Sequence, residues 1–270
     1  MIDDLRLFWH LAHGDISQMR YLVVEFQGDI VISSFICESS ESFLAPEELE
    51  KFLSFKFQKR RESYFYGRLA AKKAVRKAYP ELNENQILIR NSTDAEIFGK
   101  PLVFKNGESS ELGQISLSHS HDLAVACFHQ TQEIGIDLEA VENRDEFEIN
   151  FTASEKKITN DMPVGFHQST MTLLWTAKEA MSKALGKGLS LSTLHMESFL
   201  DSKQLLECVS LERKSMHYMG RVFSNQNYFL FSLHTQLIQK EKTYFLTMAR
   251  GINGDQLRES ISKAKGGNQL

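Results

Sequence analysis

Two short stretches of this chain carry residue types and spacings that could do chemistry. The first is G-I-D-L-E at 135–139. Read as a strand, it sends Ile134, Ile136 and Leu138 to one face and Gly135, Asp137 and Glu139 to the other, with the Cα atoms of the two acids ~6.7 Å apart. Carboxylates that close repel, and in a cleft one must hold its proton unless a cation sits between them. Hard oxygen donors with no Cys or His beside them favour Mg²⁺, and Gly135 would leave room for a ligand. The plainer alternative is an exposed strand face with two solvated acids. The second stretch, W-T-A-K-E-A-M-S-K at 175–183, puts Trp175, Glu179 and Lys183 on one helical stripe. Leu174, Ala180, Met181, Ala184 and Leu185 flank that stripe, so it lies at the rim of a buried face. Glu179 could add a third oxygen to the strand's pair, and Lys183, with Lys178 alongside, could neutralise phosphate charge. Alternatively, Glu179 and Lys183 form an ordinary surface pair worth ~0.3–0.5 kcal/mol.

Two smaller signals accompany them. Ser118-His119-Ser120 ends a strand-like run, I-S-L-S-H-S, where hydroxyls and an imidazole could hydrogen-bond a phosphate or ribose; a lone histidine is more often packed or solvated. His121 is close, but no third soft ligand follows to complete a zinc site. Gly99-Lys100-Pro101 is a turn by its chemistry, with Lys100 either solvated or facing a ligand.

The elements that must position these residues read as follows. Residues 4–11 and 21–36 are strand-like. Pro46 opens a helix with an acidic first turn that runs to about Tyr79, with a break expected near Gly67 and a stop at Pro80. Residues 91–107 read as loops. Strands follow at 114–119 and 123–129, then the GIDLE strand and an acidic loop, E-N-R-D-E-F-E. Helices are expected at 154–160 and 168–185, the latter ended by Gly186 in a left-handed conformation. The remainder is strand-like at period two. The order points to an α+β protein built as two similar halves, 1–133 and 134–250. A polar tail at 251–270 is expected to fray. Element order alone carries this division; no sequence self-similarity proves a repeat.

The 270 residues carry 42% apolar and 24% charged side chains, the profile of a soluble globular protein. No apolar run approaches the ~18 residues of a transmembrane helix, and the acidic N-terminus is unlike a secretory signal. Cys37, Cys127 and Cys208 show no metal or disulfide spacing. A cytoplasmic protein is expected. The net charge of −4 argues against a general nucleic-acid binder, yet residues 51–77 hold ten basic residues against one acid, Glu62. That stretch is either a solvated helix face or a patch for a polyanion or an acidic protein.

Taken together, G-I-D-L-E and W-T-A-K-E-A-M-S-K-A about forty residues later resemble the signature of the 4'-phosphopantetheinyl transferase family, in its larger, two-halved, surfactin-synthase-type branch. Gly67-Arg68 with Ala71-Lys72, then G-K-P, S-H-S and F-T-A-S-E at 151–155, follow in the family's order. The resemblance implies the fold of that family, a pseudo-twofold pair of similar α+β halves with the active site in the cleft between them. It implies transfer of the phosphopantetheine arm of coenzyme A to a carrier-protein serine, releasing 3',5'-ADP. It implies Mg²⁺, with Mn²⁺ as a substitute, held by Asp137, Glu139 and Glu179. It implies Glu155, Glu179 and Lys183 as catalytic residues, Glu155 being a candidate base for the serine. Coenzyme A would be held by Arg68, Lys100, Pro101, Ser118, His119, Asp137, Lys178 and Lys183, with Lys56 and Arg61 from the basic stretch as further candidates. The implied partners are coenzyme A and a transient acyl or peptidyl carrier protein, with no nucleic acid and no membrane, and the chain acting as a monomer. A catalytically silent coenzyme A or carrier-binding module, or a metal-dependent phosphohydrolase, are the competing readings.

Overall fold

Leu123–His129 is buried at every position, as a strand covered on both faces must be. Its alternate residues explain the architecture. Ala124, Ala126 and Phe128 pack with Phe65, Ala70, Ala71, Ala74 and Val75, while Leu123, Val125 and Cys127 pack with Ile134, Ile136, Leu138 and Ala140. One face therefore meets a helix and the other a second sheet. The computed structural model describes residues 20–25, 43–108, 111–121, 123–188, 192–200, 202–212, 215–223, 228–239 and 242–252; the strand expectations at 4–11 and 26–36 and the tail from 253 onward lie outside them.

Among the described residues ten strands form two five-stranded antiparallel sheets. Sheet one comprises β1 (Arg20–Glu25), β2 (Ile87–Asn91), β3 (Pro101–Lys105), β4 (Glu111–Ser120) and β5 (Leu123–His129) in the order β1-β5-β4-β3-β2. Sheet two comprises β6 (Ile134–Ala140), β7 (Met196–Phe199), β8 (Ser215–Val222), β9 (Tyr228–Gln239) and β10 (Lys242–Ile252) in the order β6-β10-β9-β8-β7. In each sheet the first strand pairs with the last and the others follow in descending order. Helices α1 (Pro46–Ser54) and α2 (Gln58–Arg76) belong to the first set, and α3 (Ala153–Asp161), α4 (His167–Ala184) and α5 (Ser202–Val209) to the second. The layers run α2, sheet one, sheet two, α4. On the outer face of sheet two, α4 sets Leu173, Ala177, Ala180, Met181 and Ala184 against Met196, Phe245 and Ala249.

A buried ion pair is built the same way in both sets. Glu48, in the first turn of α1, accepts from the backbone N–H of Ala45 and of Ile89 on β2, and pairs with Lys72 of α2 at 2.5 Å. Lys72 also donates to the carbonyls of Glu84 and Ile87. Correspondingly, Glu155 in the first turn of α3 accepts from the N–H of Thr152 and of Ser198 on β7, and pairs with Lys178 of α4 at 2.8 Å. Lys178 donates to the carbonyls of Thr193 and Met196. All four side chains are buried. Burial pushes the pKa of both lysines down, and the glutamate opposite pushes it back up. Each pair pins its long helix to a strand start, and every polar group is satisfied, which a buried charge requires.

The elements differ from expectation in several places. The break in the first helical stretch falls at Phe55–Phe57, where both flanking residues are extended, and α2 runs through Gly67 without interruption. One glycine costs a helix only ~1 kcal/mol, less than the packing of its buried face secures. Pro101–Lys105, read as loop from its Gly and Pro neighbours, forms β3 because Val103 and Phe104 are buried. Ser202–Val209, read as strand-like, is helical, with Leu205, Cys208 and Val209 buried. Gly186 has φ +67°, the expected left-handed end to α4.

Candidate functional site

The alternation of β6 places Asp137 and Glu139 on the side facing α4, with Ile134, Ile136 and Leu138 in the core between the sheets. Gly135 serves helix packing rather than a ligand. A Cβ there would collide with the carbonyl oxygen of Ala180 and lie 2.7 Å from the N of Ala184. Its absence lets α4 lie directly on β6, which brings Glu179 and Lys183 beside the two strand carboxylates.

The serines of I-S-L-S-H-S have a shared task that period-two geometry makes clear. Ser116 and Ser120 accept from the backbone N–H groups of Ile136 and Ala140 on the edge of β6, and Ser118 donates to Asp137 Oδ1 at 2.7 Å. Thus β4 stitches sheet one to the free edge of β6 through side chains. Lys183 reaches across to Asp137 Oδ1 at 2.6 Å and donates to Ser118 Oγ at 3.0 Å. It turns toward the strand rather than back along its helix to Glu179, so the surface-pair alternative does not describe it.

Two carboxylate oxygens in this group are buried without any hydrogen-bond partner: Asp137 Oδ2 and Glu179 Oε1. The three acids feel each other. Burial, then the charge of Asp137, pushes Glu139 up to about 7, against the opposing pull of Arg144 and Lys183. Glu179 is raised by burial first and Asp137 second, with Lys183 opposing. His119 stays exposed by area, yet the atoms around its ring desolvate it and, with Lys183, lower its pKa. Among the described residues no group of three or more His, Cys, Asp or Glu side chains is closed up as a ready metal cage. Lys183 holds Asp137 at 2.6 Å, and Arg144 pairs with Glu139 at 3.3 Å. The donor set nonetheless fits a hard divalent ion. All three donors are carboxylates, their mutual repulsion is only partly cancelled, and two inward oxygens lack partners.

A cleft of about 720 Å³ opens beside these residues, lined by Gln58, Lys59, Glu62 and Ser63 of α2, His119 to His121 at the end of β4, Glu139 and Arg144. The start of α2 thus supplies one wall of the cleft, with Lys59 and Glu62 of opposite charge. Of the residues expected to bind the ligand or catalyse, the structure gathers Asp137, Glu139, Glu179, Lys183, Ser118 and His119. It does not bring the others here. Glu155, expected as a base, is locked with Lys178 in the interior, where neither reaches solvent. Arg68 pairs with Glu48 at 3.3 Å and lies over the Tyr64 ring. Arg61 donates to the carbonyl of Phe55 and braces the α1–α2 linker. Lys100, before Pro101, donates to Gln114 and packs against the end of α4 at Gly186. Lys56 is exposed in the linker, outside the cleft lining.

Sequence reasoning missed Arg144, inside the acidic loop, and the group around it. Glu142 holds His121 and Lys242 at 2.7 Å each, and Arg144 lies 3.4 Å from its other oxygen. Trp175 stacks on Phe147, centroids 4.6 Å apart and planes within 11°. The only available signal was the proximity of Arg144 to GIDLE, five residues past Glu139.

Comparison with known proteins finds similarity over the stretch that holds this site. Residues 133–230 match the model of the 4'-phosphopantetheinyl transferase superfamily. The chain is 29% identical over 151 residues to the 4'-phosphopantetheinyl transferase HetI of Nostoc sp. (strain PCC 7120 / SAG 25.82 / UTEX 2576), an alignment that takes in 54% of this chain and 61% of that protein. Among solved structures it is similar to the holo-ACP-synthase of Plasmodium yoelii, at 21% identity and a TM-score of 0.33 over 41% of this chain and 91% of that one. No helix among the described residues is long and apolar enough to cross a membrane. The matched segment carries both β6 and α4, with all three site carboxylates and Lys183.

Proposed function

We propose that this chain transfers the 4'-phosphopantetheine arm of coenzyme A to a serine of an apo carrier protein, releasing 3',5'-ADP, with Mg²⁺ as its cofactor. The observation that carries this reading is the pair of buried, unpartnered oxygens, Asp137 Oδ2 and Glu179 Oε1, in the same group as Glu139, which lines an open cleft. An acid cluster left incomplete in that way is made for a cation, and the cation for a diphosphate. Asp137, Glu139 and Glu179 would hold Mg²⁺, which supplies charge neutralisation to the phosphoryl group and to the departing nucleotide.

The chain's own residues do the rest. Lys183, which holds Asp137 here, would be the cation to bind a phosphate oxygen and supply positive charge toward the leaving group. Ser118 and His119 stand at the end of β4, where a hydroxyl and a neutral imidazole can hydrogen-bond the nucleotide. In transfer, the carrier serine oxygen bonds to phosphorus, the bond from phosphorus to the 3',5'-ADP oxygen breaks, and the serine proton passes to a carboxylate. Glu179, half-buried beside the strand carboxylates, is better situated for that proton than Glu155, which is sealed in the interior with Lys178. The chain is read as two halves, 1–133 and 134–250, each built on one sheet, acting as a cytoplasmic monomer.

The test mixes the protein with coenzyme A, Mg²⁺ and a panel of apo carrier proteins and looks by mass spectrometry for a phosphopantetheine gain. Wild type is expected to load at least one carrier, and Asp137→Asn and Glu179→Gln to load none while keeping the wild-type circular dichroism. Full loading by either variant would remove the metal assignment. Release of 3',5'-ADP without any carrier would instead identify a phosphohydrolase.

A further inference from the structure

Arg144 belongs to no signature stretch, yet three anchors hold it at the cleft. Its backbone N–H donates to Gln168 of α4 at 3.1 Å, and Gln168 also holds Asn143 at 2.9 Å. Its guanidinium lies over the Phe147 ring, 5.2 Å from the centroid, and that ring stacks on Trp175 of α4. The same helix that carries Glu179 and Lys183 therefore sets the position of Arg144. Its side chain keeps a quarter of its surface exposed and lines the cleft.

Its charged partners are placed for exchange. Arg144 sits 3.3 Å from Glu139 Oε2 through one nitrogen and 3.4 Å from Glu142 Oε2 through another. Both distances exceed those of a tight guanidinium–carboxylate bond, so neither acid holds it alone. Glu142 is secured from behind by Lys242 and His121, whereas Glu139 faces Asp137 and Glu179. A divalent ion claiming Glu139 would remove one of the two anions that Arg144 balances. The guanidinium would keep Glu142 and gain free donors facing the cleft.

We propose that Arg144 is the resident counter-cation of Glu139 in the metal-free protein and becomes an anion-binding residue for the diphosphate ligand once a divalent ion takes that carboxylate. The inference rests on the transferase reading and deepens it. Metal and ligand loading are thereby coupled through one side chain. Arg144 opposes the ion when it binds alone and rewards the ligand that follows. A planar five-donor fork suits phosphate oxygens better than an ammonium does.

The test needs a readout apart from turnover. Mn²⁺ binding to the metal-free full chain is titrated by electron paramagnetic resonance without coenzyme A, for wild type, Arg144→Gln and Arg144→Lys. Coenzyme A binding is then measured by calorimetry at saturating Mg²⁺. Arg144→Gln is expected to bind Mn²⁺ about three- to tenfold tighter and coenzyme A weaker by about the same factor, with Arg144→Lys between the two on both measurements. Unchanged or weaker Mn²⁺ binding by Arg144→Gln, or unchanged coenzyme A binding, overturns the inference while leaving the transferase reading intact. If neither wild type nor Arg144→Gln binds Mn²⁺, the metal assignment and this inference fall together.

Discussion

Asp137 takes the short bond from Lys183 and the hydrogen bond from Ser118 on one oxygen and leaves the other bare. That asymmetry, with Glu139 and Glu179 raised by the same field, is what a carboxylate group looks like when its neutralising charge is supplied only in part from within. It has a measurable consequence in metal-free protein. Glu139 sits near 7 in the fold against 4.5 as a free side chain, so the folded state binds its proton more tightly than the unfolded state does. Its stabilising contribution is full below about 4.5 and is lost as pH rises through about 7. Thermal melts in the presence of a chelator should show the melting temperature falling across that interval, and Glu139→Gln should flatten the fall. An equal slope in both proteins would mean that Glu139 is not the group held up by its neighbours.

At the scale of elements, the two Lys–Glu pairs decide where helices end up. Lys178 is adjacent to Glu179 in sequence but points the opposite way, into the interior, and its grip on Thr193, Met196 and Glu155 fixes the rotation of α4 that turns Glu179 and Lys183 toward β6. Glu155→Gln leaves a buried ammonium without its anion and is expected to cost about 3–5 kcal/mol in chemical denaturation. Replacing both partners by methionine should recover most of that loss, since an apolar pair of similar volume avoids the desolvation cost. Full stability of Glu155→Gln combined with lost transfer would restore Glu155 as a base. The family signature contained Lys178 and Glu155 but not their direction. A lysine one position before a site residue looks like a second site cation until helix rotation is known.

At the scale of the molecule, the described residues form two sheets face to face, and their contact surface has a built-in reporter. Cys127 is fully buried between them, and burial pushes its thiol up to about 12. In the folded protein at neutral pH it should resist iodoacetamide, as peptide mass mapping of alkylated samples would show. Its labelling should appear at the same denaturant concentration as loss of the whole fold, because Leu123, Val125 and Cys127 form one core with β6 and β10. Labelling well before global unfolding would mean that the sheets separate as independent units. The duplication itself is plain only here. Both sheets share a strand order and both helices a buried ion pair, although the counterparts of Glu179 and Lys183, counted from the paired lysines, are Lys73 in α2 and Lys77 just past its end.

What the sequence determined alone was local: the alternation that splits GIDLE into a core face and an acidic face, the helix stripe of Trp175, Glu179 and Lys183, the Pro46 start and the Gly186 stop. Each depends on a period or a backbone preference within a few residues. Tertiary structure alone decided that Gly135 makes space for α4, that the serines of β4 stitch a strand edge, that β3 and α5 form where loop and strand were expected, and that Arg144 faces Glu139. Those outcomes turn on which surfaces meet across long stretches of chain. Burial and partner charge are set by that meeting, and no local pattern encodes them.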